Sequence, residues 1–220
     1  MSRAAPARAL RRGPVGVIAV ALAGACLAAP AWGCALEGDD VVLQRSALDV
    51  AYPEAINVLG AVSAARHSGL IDRWRGLDDP TTAEERRAER ARIEASLVTL
   101  RARLAATVDA DAPALAIVLV EPMLWSRLAA VRAGGTQRAG LALAVHTAGP
   151  TRGDVVAVTD EPVLERLNHN QLPAAQALSL GLLRLYGPAP RVEAVRAWLV
   201  RGDATASATR PEPSHQLAAN

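Results

Sequence analysis

The chain has 220 residues; its 24 basic residues are all Arg, against 22 acids, and it holds no Lys and no Phe. Without Lys, Schiff-base, P-loop-lysine and kinase-lysine chemistries are excluded. Four of the arginines precede residue 34 and every acid follows it, so a chain starting there carries 20 Arg against 22 acids, net −2, a balance that argues against nucleic-acid binding.

Residues 1–33 read as a secretory signal peptide. Arg3, Arg8, Arg11 and Arg12 come first, then the apolar VGVIAVALAGACL from Val15 to Leu27, then small residues that fit cleavage after Ala31 or Gly33. The apolar run is too short to span a bilayer. The expected location is therefore periplasmic or secreted, with lipid anchoring through Cys34 or Cys26 as the alternative; neither cysteine has a bulky aliphatic three residues upstream. Only Cys34 remains after cleavage, so no internal disulfide is available.

Residues 34–112 read as a helical region. PEAINVLGAVSAARHSG spaces Ile56, Leu59 and Val62 by threes, with Pro53 in a first-turn position and Gly69 as the stop. The linker DRWRGLDDP carries Trp74. From Thr81, Thr82 and Glu85 form a Thr-x-x-Glu capping box, and Ile93, Leu97, Leu100, Leu104 and Val108 recur along one face, which predicts a long amphipathic helix. Glu84 with Arg87 and Glu89 with Arg92 read as ion pairs on its solvated face.

After Pro113 the period changes. ALAIVLVE, LALAVHT, DVVAVTD and LLRLY are strand candidates, with turns at GGTQRAG and TAGPTRG. Ile117 and Leu119 alternate with Val118 and Val120, so both faces of the first strand should be covered, one by the long helix and the other by two short helices. Those short helices are EPVLERLNHN and LPAAQALSL, with Asp160 and Asn170 as candidate caps and Gly181 as the second stop. PRVEAVRAWLVR closes the fold, and residues 202–220 read as a disordered tail.

The run GDVVAVTDEPVLERLNHNQLPAAQALSLGLLRLYG resembles the sterol carrier protein 2 (SCP2) family: a strand ending in a Thr-acid pair, a helix, a turn, a second helix bearing an alanine, a glycine and a strand ending in glycine. Asn168-His169-Asn170 stands where the family has a turn glycine, which Asn tolerates. The resemblance spans about 113–201 and implies an SCP2-like α+β domain, a small antiparallel sheet covered by helices, with an apolar tunnel used for lipid-like ligands or, as in many bacterial members, a domain that serves only as a structural appendage. YPEAINVLGAVSAARHSGLID also resembles a single tetratricopeptide helix, without a second copy.

The chemistry is sparse. His67, His146, His169 and His215 have no metal-ligand spacing with one another, and no Ser occupies a nucleophile elbow. No catalytic residue, metal or cofactor is expected, and the chain reads more readily as a non-enzyme. The leading expectation is an exported accessory or carrier protein for an apolar, lipid-like molecule, lined by Ile117, Leu119, Leu143, Val145, Leu183 and Leu185, with Trp125 as an aromatic lip or a core filler. The alternative is a periplasmic protein-interaction scaffold on the helical region; a hydrolase comes third.

Overall fold

The computed structural model of the chain describes residues 41–71, 82–132 and 139–208. The predicted signal segment with Cys26, the following Cys34, the Trp74 linker, most of the GGTQRAG turn and the tail from residue 209 with His215 lie outside the described residues. Eleven elements follow in chain order: α1 (Val41–Ala51), α2 (Asn57–His67), α3 (Ala83–Ala105), β1 (Leu115–Leu119), β2 (Leu124–Arg132), β3 (Ala139–Val145), β4 (Val155–Thr159), α4 (Glu161–Asn168), α5 (Ala174–Ser179), β5 (Arg184–Tyr186) and α6 (Ala189–Ala208).

The three helices before the sheet start and stop for local reasons. Glu54 has φ +66°, so Pro53 begins a turn rather than a helix and α2 starts at Asn57. At α3 the Thr82 side chain accepts from the Glu85 N–H while the Glu85 carboxylate accepts from the Thr82 N–H, a reciprocal cap worth about 1 kcal/mol. Ile93, Leu97, Leu100 and Leu104 are buried along this helix. Arg92 pairs with Glu89 on the outside.

The fold is mixed α+β around one five-stranded sheet, ordered β3-β2-β1-β4-β5. The expectation of an antiparallel sheet needs one correction: β1 and β4 run parallel, and the other three pairings are antiparallel. The β2–β3 hairpin and the segment after it together form the crossover, returning the chain in the direction of β1 and laying β4 beside it. β2 is the strand the sequence pattern did not show.

Residues paired across strands share a face, which sorts the sheet into two sides. Val145, Ser126, Ile117, Ala157 and Leu185 form one rung on the first face; Trp125, Val118, Val158 and Arg184 form the next rung on the second. The long and short helices do not split between the two faces as expected. α3 packs on β3, α4 and α6, and α6 packs on α5 and β4, so the later helices make one layer with α3. The second face is met by the corner between α1 and α2, where Tyr52 lies between Trp125 and Tyr186, with ring centroids 6.3 and 5.4 Å away.

Two turns rely on left-handed backbone. Asn170 has φ +54° in the α4–α5 turn, as the Asn-rich replacement of a glycine allows, and Gly181 has φ +70° where α5 stops. Asn170 does not cap α5; Pro173 holds that position. The last helix runs through Ala208, beyond the tail boundary expected at Gly202. Packing explains the extension. A Cβ at Gly202 would lie 2.9 Å from Leu104 Cδ2, Asp203 pairs with Arg103 and accepts the Ala174 N–H at 2.7 Å, and Trp198 Nε1 donates to the Leu104 carbonyl at 3.1 Å.

Candidate functional site

Two places stand out: an open cleft at the β5 edge and a buried carboxylate at the carboxyl ends of the parallel strands. The cleft has a volume of about 440 Å³. It sits where α5 ends, β5 begins and α6 passes; Leu178, Leu180, Leu183 and Leu185 are its apolar side chains, Ser179, Arg184, Tyr186 and Arg196 also line it, and most of its exposed lining is polar. Leu180 is 47% exposed. Arg184 pairs with Glu54 at 2.5 Å, and Arg196 meets Glu193 at 3.4 Å.

Of the expected pocket residues, Leu183 and Leu185 line this cleft. Register places Ile117, Leu119, Leu143, Val145 and Leu185 on the first face, but Ile117 and Leu119 are core side chains exposed by no more than 1%. Leu143 and Val145 are half-buried on the edge strand β3. Trp125 is on the opposite face, packed against Tyr52.

The second place follows from strand direction. Because β1 and β4 are parallel, Glu121 and Asp160 emerge side by side just past their ends. Asp160 is fully buried; its Oδ1 accepts the Glu121 N–H at 3.3 Å and its Oδ2 has no hydrogen-bond partner. It occupies the N-cap position of α4 yet makes no side-chain cap bond, contrary to the role expected from sequence. Burial, and next the Glu121 charge, push its carboxyl up to about 7. Glu161 is also raised, by burial above all, against the opposing pull of Arg92 at 3.4 Å.

Arginines hold the surroundings together. Arg66 meets the Glu121 carboxylate at 3.2 Å, and Arg45 donates to the Val120 and Glu121 carbonyls at 3.1 and 2.5 Å. A buried acid with a raised pKa can exchange a proton near neutrality. With no exposed surface, it cannot touch a substrate in this conformation. The role of Asp160 was missed because an acid before Glu-Pro looks like a helix cap; the missed signal was its place just after the apolar run 155–158 and Thr159.

His146 follows β3 directly, with φ +58°, and meets Glu94 at 3.0 Å, which ties the end of the sheet to α3. Among the described residues, no three His, Cys, Asp or Glu side chains are grouped to hold a metal ion. No described helix is long and apolar enough to cross a membrane. The chain matches no protein-family model, no curated protein and no solved structure.

Proposed function

We propose that this chain is an exported, non-catalytic accessory or carrier protein with an SCP2-like α+β domain, and that it binds an apolar, lipid-like molecule at the β5 cleft. The observation that carries the reading is the convergence of Leu178, Leu180, Leu183 and Leu185 on one open cleft of about 440 Å³, a size within the range of small-molecule sites. The order of elements supports the SCP2-like build: strand 155–159, helix 161–168, helix 174–179, the left-handed Gly181, then strand 184–186 and Gly187. Export rests on the N-terminal sequence pattern, with residence in the periplasm or outside the cell. Saturable uptake of a fluorescent fatty acid tests the binding, and Leu180→Glu should weaken it.

The second reading is a protein-interaction scaffold, favoured by α1. Leu43, Ala47 and Val50 repeat along one side of that helix and are exposed, Leu43 by 64% and Val50 by 85%. Leu43→Glu and Val50→Glu should abolish capture of a periplasmic protein partner under this reading and leave fatty-acid uptake unchanged.

A further inference from the structure

The segment from α1 to α2 buries Leu48, Ala55, Val58, Val62 and Ala65 in the core and is tied to the sheet by polar contacts at two rims. At one rim Arg45 of α1 donates to the carbonyls of Val120 and Glu121, and Arg66 of α2 meets the Glu121 carboxylate. At the other, the Tyr186 hydroxyl donates to the Pro53 carbonyl at 2.8 Å and Arg184 pairs with Glu54. Tyr52 spans the space between Trp125 and Tyr186. Neither α1 nor α2 brings its backbone as close to the sheet as α3 does to β3. These two helices are held by buried apolar side chains together with the polar contacts at the rims, and loss of those polar contacts weakens the attachment.

One of the rim residues is shared with the buried acid. Glu121 receives α2 through its carboxylate and α1 through its carbonyl, and gives its N–H to Asp160. We propose that the Glu121–Asp160 junction is a pH-operated latch on a lid formed by α1 and α2: ionisation of Asp160 loosens the lid and uncovers the sheet face at Trp125 and Tyr186.

The surroundings explain the direction. Asp160 faces Glu121 from the β1–β2 turn and has Glu161 as its neighbour on α4. The nearby cations are engaged elsewhere: Arg92 of α3 with Glu89 and Glu161, Arg66 with Glu121, and Arg45 with two carbonyls. Glu165 of α4 adds a further negative charge beside Glu161. An ionised Asp160 thus sits beside a second carboxylate with no guanidinium among its partners, and hydration after lid opening relieves it. The raised carboxyl, at about 7, places the transition near neutral pH. One proton changes the opening equilibrium by at most about tenfold per pH unit.

Hydrogen–deuterium exchange on the intact chain between pH 5.5 and 8.5, corrected for the intrinsic pH dependence of exchange, tests the latch. The amides of residues 41–67 should exchange faster above pH 7, by up to about tenfold per unit, while those of β1 stay protected. Asp160→Asn should remove the step. If that variant does not fold, Glu121→Gln should move the step to lower pH, because the Glu121 charge helps to raise Asp160. A wild-type profile without a step, a step that persists in folded Asp160→Asn, or one that Glu121→Gln leaves in place overturns the proposal.

Discussion

The Asp160 carboxylate reaches the backbone N–H of Glu121 at 3.3 Å across the ends of two parallel strands, and its second oxygen is buried without a partner. This contact joins the end of β4 to the end of β1, where the arginines of α1 and α2 also attach.

Its pH consequence has a definite sign. The folded carboxyl titrates at about 7, above the ordinary unfolded value near 4. Folding is therefore favoured by the bound proton below the unfolded pKa, and this stability is lost as pH rises through 7, by on the order of 4 kcal/mol at most. Asp160→Asn should flatten that decline and be the more stable protein at pH 8. Urea unfolding at pH 5 and pH 8 measures it; parallel declines in the two proteins would count against the assignment.

Asp154 should behave in the opposite sense. Burial pushes its carboxyl up, but hydrogen bonds from Arg127 at 2.8 and 3.0 Å and from the Thr151 N–H and hydroxyl outweigh this and hold it below its ordinary value. Its stabilisation is present above the unfolded pKa and lost as pH falls through the lowered one. Asp154→Asn should cost about 2 kcal/mol at pH 7, a figure reduced for the partial exposure of Arg127, and the difference from wild type should shrink in acid. Denaturant midpoints across pH 2–7 check both.

Asp203 tests whether α6 extends past Gly202. It pairs with Arg103, whose side chain is 8% exposed, and accepts the Ala174 N–H. Burial lowers the Arg103 pKa and Asp203 offsets part of that. Asp203→Ala leaves a buried guanidinium short of its carboxylate and should cost about 2–3 kcal/mol. In a disordered tail the same substitution would leave the melting temperature unchanged.

Leu180 separates binding from folding. Because it is 47% exposed, Leu180→Glu should change stability by no more than about 0.5 kcal/mol. The introduced carboxylate should still weaken fatty-acid uptake at least tenfold by placing a charge in the leucine lining. Thermal unfolding and a fluorescence titration on one preparation report the two effects.

Much of the fold was legible where period and punctuation agree. The capping box at Thr82 and the leucine stripe of α3 are local signals, as is the stop at Gly181. β2 was hidden because its pattern is impure: Ser126 points to the first face among aliphatics, while Arg127 on the second is held by Asp154 from the turn before β4. The parallel pairing of β1 with β4 was not legible, since alternation gives a strand its faces but not its neighbour or direction. Ile117 and Leu119, expected to line a pocket, are fully buried in the core. An inward aliphatic is the same residue whether it lines a cavity or fills one, and only the packing of α3 and α4 decides. The role of Asp160 depends on that same pairing, which brings Glu121 beside it from 39 residues away.

The most direct test of the carrier reading is titration of the purified chain, in the wild-type and Leu180→Glu forms, with a fluorescent fatty acid. Saturable binding near one equivalent by the wild type, weakened in a Leu180→Glu protein of unchanged melting temperature, is the predicted result. No saturable uptake by the folded wild-type protein, or equal uptake by both forms, would contradict binding at the β5 cleft.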